Sequence, residues 1–231
     1  MLKVRINPYG FIGFGLASAF AITQEWSLPE FCWSTWLAGL VYAWACVFTA
    51  LIQIILTARS EKPSYDRRLP LLQFLSPNAF LAVMIAFSVT IGFVAFQIYN
   101  YLFGFYGLFL SVFSEMAPLS LFGRNGFINS DFFTPVMYLV DRFWPMAAGV
   151  LVMNWRDFFQ KNPWKRMALP FHKEILRIHL MIVAMPFFSL MAWAILKDAY
   201  QPATILLLMG LFYLLPQKTP EDSSESKKEA L

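Results

Sequence analysis

The chain alternates between long apolar runs and short charged segments. Apolar residues fill 9–23, and a polar turn with Pro29 follows over 24–30. A longer run covers 31–57 and gives way to the polar stretch 59–68, with Arg59, Lys62, Arg67, Arg68 and Pro63. Residues 79–122 hold a single charge, Glu115, and are closed by a Gly/Asn turn over 124–131. The run 132–155 is interrupted by Asp141 and Arg142. Segment 156–177 carries Arg156, Lys161, Lys165, Arg166, Lys173 and Arg177. Two more runs, 175–196 and 202–215, precede a hydrophilic tail over 217–231, whose composition predicts disorder. The pattern divides the chain into a helical membrane domain over 1–216 and a charged tail over 217–231.

A spanning helix needs about 20 apolar residues to cross a hydrocarbon core of about 30 Å. Most runs therefore predict one crossing each. The run 79–122 would be about 66 Å long as a single helix. It predicts either two crossings or one crossing with an interfacial or re-entrant helix. Cytoplasmic loops are rich in Lys and Arg. Placing the N-terminus, 58–68 and 156–177 inside leaves only Arg124, Arg142 and Lys197 on the outer side. The expected fold is all-α: about six spans plus one interfacial or re-entrant helix, with both termini cytoplasmic. A true hairpin within 79–122 is the alternative and gives seven. Trp26, Trp33, Trp36, Trp144 and Trp193 then mark the outer interface, and Trp155 and Trp164 the inner one. Only Trp44 falls at mid-depth. Lys3, Arg5 and Ala17-Ser18-Ala19 also fit a signal-peptide pattern; we read 9–23 as an uncleaved first span.

Composition strengthens this picture. Of 231 residues, 58% are hydrophobic and 14% charged, against about 45–50% and about 25% in soluble domains. Mean hydropathy is +0.55. These values exclude a disordered chain, a collagen-like chain and an ordinary soluble enzyme. The net charge of +4 comes from residues flanking apolar runs, so the expected partner is the anionic inner leaflet rather than nucleic acid. The expected location is a bacterial or archaeal plasma membrane. Cys32 and Cys46, on one helix, lie about 21 Å apart. A disulfide needs about 7 Å, so neither a bridge nor a metal set is expected.

No Gly-rich phosphate loop, H-E-x-x-H, G-x-S-x-G or paired-carboxylate signature occurs. Candidate chemistry therefore rests on charges inside apolar runs, which are functional candidates by default. Asp141 and Arg142 form either an outer-vestibule ion or anion site, or a headgroup-facing pair before the helix begins. Glu115 ends a seam of Asn100, Gly104, Gly107, Ser111 and Ser114 at helical spacing. The seam reads as close packing or as a polar pathway. His172 and His179 lie seven apart, about 10.5 Å along a helix, which excludes both from one haem. Arg177, His179 and Asn154 sit at matching depth and are expected to form an inner polar clamp. Arg156, Lys161, Lys165, Arg166 and Lys173, mixed with aromatics, read as a lipid-facing basic segment. No cofactor or metal is expected.

The start Asn7-Pro8-Tyr9-Gly10 and the stretch from Pro170-Phe171 to Arg177-Ile178-His179-Leu180-Met181-Ile182-Val183 resemble an uncharacterised multi-span membrane family, domain of unknown function 6498. The resemblance implies a multi-span fold and no substrate. Histidines associated with that family's middle spans are missing. The leading functional expectation is a small transporter- or channel-like bundle. The alternative is a non-catalytic membrane scaffold or accessory subunit, as a homo-oligomer or within a larger complex. An intramembrane enzyme ranks third, because no nucleophile–base set is visible.

Overall fold

The computed structural model describes residues 8–68, 74–113, 133–171, 191, 193–195, 197 and 200–214. Glu115, Lys173, Arg177, His172, His179 and the tail 217–231 lie outside the described residues. All regular structure among the described residues is helical.

The first helix, α1 (Pro8–Thr23), opens on a proline, whose fixed φ suits a first turn. It closes in a Schellman arrangement: Trp26 N–H donates to Ala21 O at 2.9 Å and Glu25 N–H to Ile22 O at 3.3 Å. Glu25 takes the left-handed position with φ 50, a place usually held by glycine. The chain reverses at once into α2 (Leu28–Arg68). Ser27 and Glu30 form a capping box there. Ser27 N–H donates to Glu30 Oε2 at 2.8 Å and Glu30 N–H to Ser27 Oγ at 3.5 Å. Two donors left over at the helix start are thereby satisfied.

Helix α2 runs for 41 residues. The stretch 59–68, expected as a loop, continues the helix through Pro63. Ala58, Arg59, Glu61 and Lys62 are strong helix formers and no glycine interrupts them. Helix α3 (Pro77–Phe113) is capped by Ser76, whose Oγ accepts from Ala79 N–H at 3.2 Å. It is one uninterrupted helix of 37 residues, so the hairpin considered for 79–122 does not occur within it. Helix α4 (Phe133–Met153) contains Asp141 and Arg142 rather than beginning after them. It bends instead at Phe143 (φ −121, ψ 17), two residues before Pro145. Proline lacks the N–H that residue 141 would bond and crowds that carbonyl.

After α4 a 3₁₀ turn (Trp155–Phe159) leads to a fifth helix, α5, over 163–171. Asn162 caps α5, its Oδ1 accepting from Trp164 N–H at 3.0 Å and Lys165 N–H at 3.2 Å. The final described helix is α6 (Tyr200–Leu214).

Helix α2 is the hub. It packs on α3, α4, the 3₁₀ turn and α6, while α1 packs on α4 and α6. Buried Trp36, Leu40, Ala43, Val47, Ala50 and Ile54 recur at steps of three and four along α2, the spacing of one helical face. Contacts set the directions. Trp36 meets Phe103 and Trp44 meets Asn100, so α3 is antiparallel to α2. Glu30 meets Arg142 and Tyr42 meets Asp157, so α4 runs parallel to α2. Gly10 abuts Tyr213, so the start of α1 and the end of α6 share one end of the bundle.

A close backbone joint lies between α1, α4 and α6. A Cβ on Gly13 would sit 2.8 Å from Gly149 O, and one on Gly149 would sit 2.7 Å from Tyr213 Oη. The two glycines let the backbones touch, and Tyr213 covers them while donating to Met146 O at 3.0 Å. The seam expected on α3 is looser. A Cβ on Gly104 would meet nothing within 4 Å, and Asn100 Oδ1 instead accepts from Trp44 Nε1 at 2.9 Å.

Among the described residues three helices are long and apolar enough to cross a membrane: Leu28–Ala58, Pro77–Leu108 and Pro135–Met153. Helix α1 and Gln201–Leu214 are apolar but shorter. Only 22% of the most apolar part of α3 is buried, against 44% in α2 and 50% in α4. Val83, Phe87, Phe93, Ile98 and Phe105 all point outward from α3. An exposed apolar face of that extent is unusual on a soluble monomer and fits a membrane location. The tryptophans of the expected belt divide by burial. Trp33 and Trp36 are fully buried and Trp26 nearly so, whereas Trp144, Trp155, Trp164 and Trp193 are exposed. Buried indoles find internal acceptors: Trp36 donates to Phe103 O at 2.7 Å and Trp26 to Gln24 Oε1 at 3.1 Å.

Candidate functional site

Polar side chains line the face of α2 that meets the 155–171 segment, in two pairs set about 16 Å apart along the helix. Tyr42, Cys46 and Gln53 lie four and seven residues apart on α2 and so share a face. The 3₁₀ turn rotates Asp157 inward, where it is buried. Its Oδ2 accepts from Tyr42 Oη at 2.7 Å, and Phe158 lies tilted against the Tyr42 ring. Asn154, also buried, ends α4 with its Nδ2 donating to Val150 O at 3.1 Å and its carbonyl accepting from Asp157 N–H at 2.9 Å.

Helix α5 then turns back along the bundle. Trp164 packs edge-on against Phe87, and Phe171 lies 5.0 Å from the Tyr99 ring. Tyr99 Oη donates to Met167 O. One turn into α5, Arg166 is only 3% exposed. Its Nη2 donates to Gln53 Oε1 and to Gln160 O, and Gln53 Nε2 donates to Lys161 O at 2.9 Å. Arg166 Nε is buried with no acceptor among the described residues. No ion pair joins Arg166 to Asp157. The expectation of Arg166 on a lipid-facing segment is therefore corrected: helix α5 carries it inward. Lys161 and Lys165 are exposed. Arg156 is exposed too and stacks over the Tyr9 and Trp155 rings at 5.8 and 5.9 Å.

The opposite end holds Asp141 and Arg142, both exposed. Arg142 pairs with Glu30 of the capping box, an acid that the sequence pattern leaves in a turn. Its guanidinium also lies 5.9 Å from the Phe143 ring centre, and Phe143 packs edge-on against Trp26 at 5.0 Å. The structure thus separates Arg142 from Asn154 and brings neither to the other. Of the expected clamp, only Asn154 is described, and it bonds to its own helix.

Between α2 and α3 a groove of about 540 Å³ is walled by Val41, Trp44, Phe48, Leu51, Phe93 and Phe96. It is apolar, and the Trp44 and Phe96 rings stack within it at 5.1 Å. Among the described residues no group of three or more His, Cys, Asp or Glu side chains could hold a metal. Cys32 and Cys46 lie on one helix and are not bridged to each other. Tyr42, Gln53, Tyr99 and Asp157 are the participants that sequence reasoning missed. The available signal was Asp157 itself, an acid in the aromatic string Trp155-Arg156-Asp157-Phe158-Phe159.

Comparison with known proteins gives no match to a family model, a curated protein or a solved structure.

Proposed function

We propose that the chain is a multi-pass membrane protein acting as a small transporter- or channel-like bundle, with its polar site at Tyr42, Gln53, Asp157 and Arg166. The observation that carries this reading is the burial of Arg166 with its hydrogen bonds ending on neutral oxygens, nine residues after the buried Asp157. Charges buried in an apolar bundle are expensive and mark solute or proton paths by default.

The proposed topology has six crossings with both termini cytoplasmic. Three features support it. Run 79–122 contributes one long helix. The start of α1 and the end of α6 meet at Gly10 and Tyr213. Arg156, Lys161 and Lys165 lie near that same end, whereas Arg142 lies at the other. The resemblance to domain of unknown function 6498 implies the same multi-span class.

The test is reconstitution of the full chain into liposomes. Flux of protons, chloride and phosphate is followed under imposed gradients. One gradient should collapse faster than in protein-free vesicles, and Asp157→Asn should abolish that flux while the protein still folds. Reporter fusions after Gln217 and within 60–66 should both report the cytoplasm. A second reading, a scaffold or accessory subunit, is favoured by the outward apolar face of α3. Absence of flux together with a stoichiometric co-purifying membrane chain would establish it instead.

A further inference from the structure

We propose that Arg166 is an anion receptor for a phosphate-class oxyanion presented at the membrane surface. This rests on reading the polar cluster as a working site.

The chemistry of Arg166 leads there. Its guanidinium cannot shed its proton, and a buried cation needs a counter-charge or a full set of acceptors. Arg166 has neither among the described residues. Both of its protein hydrogen bonds leave from Nη2 and end on neutral oxygens, Gln53 Oε1 and Gln160 O. Its Nε is buried without an acceptor. Asp157, the buried acid of the same segment, accepts from Tyr42 Oη and makes no ion pair with Arg166. Nε–H and Nη2–H form one edge of the planar fork that fits two oxygens of a phosphate or carboxylate.

The surroundings select phosphate at a membrane surface. Lys161 and Lys165, both exposed, flank the same turn, so the approach carries positive charge, which favours a multiply charged or strongly ionised group. The cap at Asn162 already satisfies Trp164 N–H and Lys165 N–H, so the receptor is the side chain and not the helix start. Gln53 is half-buried and its amide spans Lys161 and Arg166. It is the arm that must swing aside for an oxyanion to reach the fork. Two sources share this chemistry: a phospholipid headgroup and free phosphate.

The experiment uses the full chain in detergent and in nanodiscs. Inorganic phosphate is titrated in detergent, with Trp164 fluorescence as readout, against chloride at equal ionic strength. In parallel, native mass spectrometry counts phosphatidylglycerol and phosphatidylcholine retained from mixed nanodiscs. Wild type is expected to bind saturably in one arm. Phosphate binding identifies the free anion, and selective phosphatidylglycerol retention identifies the headgroup. Arg166→Gln should weaken that binding at least about tenfold, the loss of a bidentate charge-assisted contact. If Arg166→Gln does not fold, Arg166→Lys replaces it, keeping the charge without the fork. It should weaken binding several-fold. Lys165→Gln should change binding less than either. No saturable binding in both arms overturns the proposal, as does an Arg166 variant that binds like wild type. Binding without flux leaves this inference standing and removes the transport reading. Flux without Arg166-dependent binding does the reverse.

Discussion

Each end of the bundle holds an arginine and a carboxylate, and the two ends treat them differently. At one end Glu30 and Arg142 neutralise each other, and the Arg142 side chain is 45% exposed. At the other, Asp157 and Arg166 are buried without pairing with each other: Asp157 accepts from Tyr42 Oη, and the hydrogen bonds of Arg166 end on neutral oxygens. The first arrangement closes its electrostatics internally and tolerates solvent. The second keeps the Arg166 guanidinium buried with only neutral oxygens bonded to it among the described residues. Paired charges at a wet rim serve mainly to tie helices together. Uncancelled buried charges persist against a penalty, which is the usual mark of function.

The comparison can be broken most severely at the joint between the ends. Gly149 lies on α4 between Arg142 and Asp157 and touches Gly13. Gly149→Leu forces backbone apart, because its neighbours are a backbone carbonyl and the Tyr213 hydroxyl. It should cost about 3 kcal/mol or more, seen as lost monodisperse protein in detergent or a collapsed thermal midpoint. A Gly149→Leu variant with wild-type melting would refute the close approach of α1, α4 and α6. A milder change probes the buried end. Tyr42→Phe removes the hydroxyl bound to the Asp157 carboxylate and should cost about 1.5–3 kcal/mol. Unchanged melting would show that the carboxylate is not dependent on it. The smallest effect belongs to the rim. Arg142→Gln should cost about 0.2–1 kcal/mol, and the loss should shrink further in high salt. If Arg142→Gln destabilises more than Tyr42→Phe, the contrast between the ends is inverted.

The helical class and most helix starts were legible from pattern alone. Ser27 and Glu30 stand at capping-box spacing ahead of an apolar run, and Ser76-Pro77 marks the start of α3. Hydropathy failed where polarity and helicity part company. Residues 59–68 are polar, but half of them (Arg59, Glu61, Lys62, Arg67 and Arg68) are strong helix formers, and α2 passes through them. Asp141 looked like a boundary, whereas Pro145 shifts the disturbance into a bend at Phe143. The site was less legible for a geometric reason. In a basic, aromatic segment such as 156–171, composition does not tell which residue faces inward. A 3₁₀ turn and the Asn162 cap set that rotation, and together they send Asp157 and Arg166 inside and leave Lys161 and Lys165 out. Trp33 and Trp36 show the same limit: tryptophan marks a depth in the bilayer, and packing decides whether it faces lipid or protein.

Helix α3 also sets a requirement on the host bilayer. Its apolar part, Pro77–Leu108, counts 32 residues and measures about 48 Å at ~1.5 Å per residue. Hydrocarbon thickness is only about 30 Å, and tilts rarely exceed about 40°, which would still leave a projected length of about 37 Å. Several ångströms of apolar helix must then be accommodated by thickened lipid around it or by a neighbouring apolar surface. The chain consequently acts as a ruler of its surroundings. It should partition into thicker membrane regions over thinner ones, and in bilayers too thin for it, it should cluster.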